Sequence, residues 1–523
     1  MATMLFGFGD KVGSPVARER NSWLLWPKPA PFRQSMIGPS PAITSSPRVV
    51  ARSARQIWST FAMTSTATVT PIAHRTVSHA APTAPGAIPL LGHWPRFGRR
   101  PYRFLSTLAA VGPVVRVRIP GYDTYVVTDP ELVREAFVAL SDQGLMIERA
   151  EALLGEGVTV LQGQRHRRER RMIAPAFAKS RIARYAAVMT RLGAERAASW
   201  RNGDFLAVNE QMHDLALRTV AGSLFTGELG SETAEHIHRL LPPVMTLLSR
   251  RVTRPAWIDR LPLPGNRRFD RLVVQMKAAT GAIIAAYRAE LAADPDLDHG
   301  DLLDTLLKAR DESGGALTDS QVHDELINFL VGGTEAIGAT LAWVFHELGQ
   351  NPEVEAALHA EVDAVLRADG PARAAEFGDL AELEVTKRIV LETLRKYSPW
   401  LTVRHVPTPY TLGGVEIPGG SMLFVCPVAV HRDPAIHPDP QRFDPDRWLP
   451  ERMADMSKGA HIPFGMGARQ CPGNVFALTE IALQVATLSA HWRLRPVPGI
   501  PVRETVIGAL VHPEKLLMRA EAR

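Results

Sequence analysis

One short stretch carries most of the chemical information in this chain: Pro463-Phe464-Gly465-Met466-Gly467-Ala468-Arg469-Gln470-Cys471-Pro472-Gly473. Gly465 and Gly467 permit a tight loop whose amides approach a sulfur closely. Pro472 suits the first position of a helix, and residues 474–491 continue in an amphipathic pattern. Cys471 then stands at a helix N-terminus, where the dipole favours an anionic sulfur. A thiolate in that setting is a metal ligand, and the loop amides temper its donation to the metal. Arg469 adds a guanidinium fork for a nearby carboxylate. A lone cysteine is ordinarily a small core residue. It is the loop as a whole that favours the ligand reading here.

Other spacings point the same way. Glu392-Thr-Leu-Arg395 places two opposite charges on one helix face at i,i+3. Alone, that pattern usually marks a solvated pair. Phe443-Asp-Pro-Asp-Arg447-Trp448 follows it. In His166-Arg-Arg-Glu-Arg170, His166 and Arg170 share a face at i,i+4, within a basic run that would otherwise be a solvated surface. Arg404 follows Pro399-Trp400. The segment Phe329-Leu-Val-Gly332-Gly333-Thr334-Glu335-Ala336-Ile337-Gly338-Ala339-Thr340 sits within a long helical pattern. Two adjacent mid-helix glycines cost stability, so the backbone is expected to pass close to a bound group.

The cysteine loop resembles the ligand loop of the cytochromes P450, F-G-x-G-x-R-x-C-x-G, with every defined position filled. The resemblance covers roughly residues 82–523. It implies a mainly α fold with small sheets and haem b between the long helix and the Cys471 loop. Cys471 would be the axial iron ligand, beside Phe464. His166, Arg170, Arg404 and Arg469 would hold the propionates. Glu392, Arg395 and Arg447 would form a triad behind the loop. Gly332 to Ala336 align with A-G-x-[DE]-T. Glu335 fills the acidic position, and Ala336 stands where the family has threonine. Phe329, Gly332, Ala336, Trp400 and Val403 would line the substrate pocket with residues 507–510. Residues 141–159 would form a loop over the distal face, and 240–250 a mobile lid.

The activity implied is insertion of one O2 oxygen into a C–H bond of a hydrophobic substrate. NAD(P)H-derived electrons would arrive from a ferredoxin with its reductase, or a flavodoxin-type donor, since no flavin region is seen after Arg523. Three blocks, 166–177, 260–269 and 442–452, resemble bacterial oxygenases of cyclic sesquiterpenes, the pentalenene and epi-isozizaene type. Ala336 also leaves room for an enzyme that uses peroxide or rearranges its substrate, or for a haem protein without catalysis.

The surrounding elements must build this site from 523 residues, 46% hydrophobic and 22% charged. Such proportions suit a large buried core. Helices are expected over 182–200, 205–224, 266–291, 319–350 and 352–367, and strands over 114–119, 125–128, 410–417, 422–425, 492–497 and 516–519. Residues 1–80 hold nine Lys/Arg against Asp10 and Glu19, a net +7 within the chain's +6. That stretch reads as an unstructured extension, an over-called start with Met63 as the true one, or a transit peptide; 81–523 reads as the catalytic domain. The remaining −1 gives no basic surface for nucleic acid. Two cysteines, Cys426 and Cys471, cannot staple a scaffold, and a cytoplasmic setting is expected, with Cys426 a core thiol. No run of 18 apolar residues suggests a membrane span. Asp294-Pro-Asp-Leu-Asp298 and Asp311-Glu312 fit neither a calcium loop nor a D-D-x-x-D patch and read as solvated.

Overall fold

Thr318 starts the helix that organises the molecule. Its hydroxyl accepts from the Gln321 N–H while the Gln321 side chain accepts from the Thr318 N–H, a reciprocal capping box. The helix then runs unbroken from Asp319 to Gln350, until Pro352 forces a new one. Residues 337–345 are buried on every side, which marks an interior helix. By length and composition it would suit a membrane crossing, with a mean hydropathy of 1.3 in its most apolar window. Here it is clasped by the helices Val208–Leu224, Pro264–Ala293, Glu384–Lys396 and Asn474–His491.

The computed structural model describes residues 80–523, apart from 100, 145–150, 226, 253–255 and 369. The expectations for the first 79 residues, Met63 included, and for part of the 141–159 loop fall outside that range. Within it the fold is mainly helical, as expected. Predicted helices appear as Lys179–Ser199, Val208–Leu224, Pro264–Ala293, Asp319–Gln350 and Pro352–Leu366. One boundary needs correction. Phe205–Ala207 is a strand, paired with the C-terminal strand Leu517–Ala522, before its helix begins. The expected lid, 240–250, lies within the helix Gly227–Val252, where Leu240, Leu241, Val244 and Leu248 are buried.

Strands Val114–Ile119 and Tyr122–Val127 form a hairpin around Gly121, whose φ is +83°. Ser421–Val425 pairs parallel to the second strand, and Thr402–Val406 completes the sheet. Its side chains alternate between two cores: Val115, Val117 and Phe424 face one, Tyr125, Leu423 and Val425 the other. Trp343 joins the first of these to the long helix. Its ring stacks on Tyr397 at 3.8 Å and its Nε1 donates to the Val511 carbonyl at 2.9 Å. The expected strand 410–417 is instead a tight hairpin, Tyr410–Leu412 and Val415–Ile417. Gly413 and Gly414, with φ of +56° and +79°, make its two-residue turn.

Candidate active site

The cysteine loop closes on itself through the Cys471 N–H, which donates to the Phe464 carbonyl at 2.9 Å. Gly465 and Gly467 take φ of +66° and +69°. A Cβ on Gly467 would meet the Phe137 carbonyl oxygen at 2.4 Å, so only glycine fits. The helix begins at Asn474, so Pro472 lies in the approach turn rather than at the first helical position. Cys471 is half-buried, and burial pushes its thiol up, opposed by the Gly473 N–H and the Arg170 charge. Cys426 is a core thiol as expected, 1% exposed and pushed up to about 12 by burial. Phe464 is partly buried against the main core.

Four basic residues gather beside this loop. On the helix Gly163–Ile173 the basic run divides by face. Arg165, Arg168 and Arg171 pair outward with Glu156, Asp311 and Glu312; Asp311 is largely covered, whereas Glu312 is solvated as expected. His166 turns inward and is buried. Burial, then Arg469, Arg170 and Arg167, lower it to about 4, so the imidazole is neutral. Arg170 lies close enough to Cys471 for each to shift the other's titration, although burial dominates its own. Arg404 is 2% exposed and stacks over the Phe137 ring at 4.4 Å; among the described residues it donates only to the Val403 carbonyl, and its Nε has no partner. Arg469 donates to the carbonyls of Ser141, Val158 and Leu161 and to the Gln162 side chain. Burial lowers Arg404 and Arg469 each to about 10, Arg404 further by the Arg469 charge. Among the described residues, Arg170, Arg404 and Arg469 have no carboxylate in ion-pair contact. Three such cations need an anion, and a group with two carboxylates fits this cradle.

The accessible face of the long helix shows Phe329, Gly332, Glu335 and Ala336. A Cβ on Gly332 would meet nothing within 4 Å, while one on Gly333 would lie 3.0 Å from Val220. Only Gly332 therefore matches the expectation of a close approach to a ligand; Gly333 serves packing against Val208–Leu224. Phe329 meets Phe177 edge-on at 5.3 Å. Thr340 donates its hydroxyl to the Ala336 carbonyl at 2.8 Å and is committed there. Glu335 faces His213, with Nε2 and Oε2 3.5 Å apart. Burial raises the carboxyl, but His213 and then His512 outweigh it, and the net direction is down. Trp400 belongs to the small core, its Nε1 donating to the Gly508 carbonyl at 2.9 Å, while Val403 is half-buried in its strand. A cleft of about 640 Å³ lies near Arg469's acceptors, lined by Asp142, Leu161, Gln162 and His405 among others. None of its lining residues belongs to the Cys471 loop or the Gly332 face.

Behind the loop, Arg395 grips Glu392 through two bonds of 2.9 and 2.8 Å, and both are fully buried. Arg447 reaches Glu392 at 3.3 Å. Trp448 Nε1 and the Asp444 N–H, partners that no local spacing signals, also donate to this carboxylate, at 3.1 and 3.0 Å. Arg395 further donates to the His431 and Pro440 carbonyls, and His431 Nε2 accepts from the Ile462 N–H at the start of the cysteine loop. The triad thus fixes the chain on which Cys471 rides.

A family model described as Cytochrome P450 matches residues 82–519. The chain belongs to the cytochrome P450 family. It is 41% identical to cyclooctat-9-en-7-ol 5-monooxygenase of Streptomyces melanosporofaciens, over 80% of this chain and 90% of that one. It is 36% identical to pentalenene oxygenase of Streptomyces avermitilis, over 85% and 98%. Among solved structures, the cytochrome P450DA heme domain superposes with a TM-score of 0.76 at 25% identity, covering 86% of this chain and 98% of that one. A cyanobacterial protein bound to retinoic acid shares the fold, with a TM-score of 0.74 at 21% identity over 86% of this chain and all of that one. This cytochrome P450 is a haem-dependent monooxygenase that carries haem b, takes a hydrophobic substrate and draws electrons from a redox partner.

Proposed function

We propose that this cytochrome P450 oxidises a cyclic terpenoid of secondary metabolism, with Cys471 as the iron ligand. Haem, when bound, supplies the oxygen-activating iron chemistry. The chain's own residues bind, orient and supply protons. His166, Arg170, Arg404 and Arg469 would hold the two propionates, and the orphaned Arg404 Nε is the observation that carries this assignment. Glu392, Arg395 and Arg447 hold the ligand loop in register. Phe329, Gly332 and Ala336 offer an apolar wall to the substrate, joined by Trp400 and Val403.

Glu335 is the ionisable group on that wall and would move protons through its carboxyl. Ala336 has no hydroxyl to help, and the Thr340 hydroxyl is bonded to backbone. A hydroxyl on the substrate could order the missing water, so an oxygenated terpenoid is the favoured substrate over its parent hydrocarbon. The cyclooctat-9-en-7-ol enzyme, named for an alcohol substrate, supports that choice. Electrons would come from a ferredoxin with its reductase or a flavodoxin-type donor, and the cytoplasm is the expected setting. Spin-state titration tests the substrate class: cyclic terpenoid alcohols should shift the ferric spectrum from low to high spin. A shift with fatty acids and none with terpenoids would overturn the reading. The Ala336 substitution keeps one second reading in view, peroxide-driven chemistry, which turnover without any electron donor would reveal.

A further inference from the structure

Glu335 has two histidine neighbours that no part of the haem cradle requires. We propose that His213, Glu335 and His512 form a binding site for one divalent transition-metal ion of the zinc type. The three come from separate elements, the helices Val208–Leu224 and Asp319–Gln350 and the strand Leu510–Pro513. One ligand atom from each lies within 4.8 Å of the other two. The His213 and His512 rings face each other at 5.5 Å and 25°. Tetrahedral zinc with bonds of about 2.1 Å places its ligand atoms about 3.4 Å apart. His213 Nε2 and Glu335 Oε2, 3.5 Å apart, already meet that spacing, and no pair has more than about 1.4 Å to close.

Further details fit a ligand set better than a simple ion pair. His213 Nδ1 lies 2.7 Å from the Asn209 carbonyl, so a proton there leaves the Nε2 lone pair facing Glu335. Metal-binding histidines are held in this way by their second nitrogen. His512 is 3% exposed, and its buried Nε2 has no hydrogen-bond partner among the described residues. An ion pair between His213 and Glu335 would leave that group unexplained, whereas a metal ion employs His512 as well. A Cβ at Gly338 would come within 2.8 Å of His213 Cα, so the glycine lets His213 approach the long helix. The side chains of His213 and Glu335 keep 27% and 23% of their exposure, which leaves room for water as the fourth ligand. Two imidazoles and one carboxylate suit zinc and its neighbours rather than calcium or magnesium. The site uses no residue of the cysteine loop but shares Glu335 with the proposed proton path, so that path runs through this carboxylate only while the ion is absent.

The test counts metal on the holoprotein. The enzyme is stripped with a chelator that leaves haem in place, dialysed against Zn2+, and analysed for zinc and iron together. Wild type should hold one zinc per haem iron and melt at a higher temperature with zinc than without. His213→Ala, Glu335→Gln and His512→Ala should each lose that zinc and its thermal shift while keeping their iron. His299→Gln, at a histidine that pairs with Glu290 and is no member of the cluster, should keep it. Should an alanine variant fail to hold haem, the near-isosteric Glu335→Gln and His512→Asn decide. No retained zinc in wild type, or zinc unchanged by the three substitutions, overturns the proposal.

Discussion

Replacing Arg404 by methionine should stabilise the haem-free chain while weakening its hold on haem. The guanidinium is 2% exposed, lies over the Phe137 ring and has an unpartnered Nε. Burial and the Arg469 charge bring it down to about 10. That depression corresponds to about 3 kcal/mol of unfavourable burial, an upper figure for the haem-free chain. Methionine fills similar space without charge, and exchanging a buried ion for an apolar group is often stabilising by about 1–4 kcal/mol. The haem-free Arg404→Met protein should therefore melt above haem-free wild type. If Arg404 holds a propionate as proposed, the same change in the haem-bound form would remove a charge-assisted bond worth about 1.5–3 kcal/mol. Haem affinity should fall about 10- to 150-fold. Haem transfer to a scavenging apoglobin gives the affinity through its off-rate, and melts of both forms give the stabilities. A variant that loses stability equally in both forms, with unchanged haem release, would show that Arg404 is only a packing residue.

Other consequences follow from the same geometry. Glu392→Gln leaves Arg395 and Arg447 uncompensated in the interior and should cost about 3–5 kcal/mol in urea unfolding, with haem loss; a cost under about 1 kcal/mol contradicts the triad's role. His323, His359 and His437 are each buried and lowered to about 4, so the folded chain keeps them neutral where the unfolded chain protonates near its usual value. Stability present above about pH 6.5 should then be lost as pH falls toward 4, by up to about 2 kcal/mol per histidine at pH 5; an unchanged urea midpoint between pH 7 and 5 refutes this. Ala336→Thr should raise product formed per NADPH for a terpene hydrocarbon and leave it unchanged for the corresponding alcohol. Equal coupling of both substrates in wild type would exclude substrate assistance.

The cysteine loop was legible because backbone conformation selects residue type directly: Gly465 and Gly467 stand where φ is positive, and Gly467 also where no Cβ fits. The inward pair His166 and Arg170 was legible from helical spacing, since i,i+4 residues share a face. What stayed hidden depends on contacts between distant segments. Gly332 and Gly333 look alike in sequence, and only the neighbouring Val220 separates their roles. The strand Phe205–Ala207 exists because the C-terminal strand pairs with it, and local periodicity carries no trace of that partner. Trp448 on Glu392, and His213 with His512 near Glu335, are met only in three dimensions.

The central claim is thiolate ligation by Cys471, and the spectrum of the reduced protein under carbon monoxide tests it most directly. Wild type and Cys426→Ser should both show the thiolate-type Soret band, because Cys426 is a core thiol with no place at the site. Cys471→Ser and Cys471→His should lose that band. Its persistence in both Cys471 variants would contradict the account.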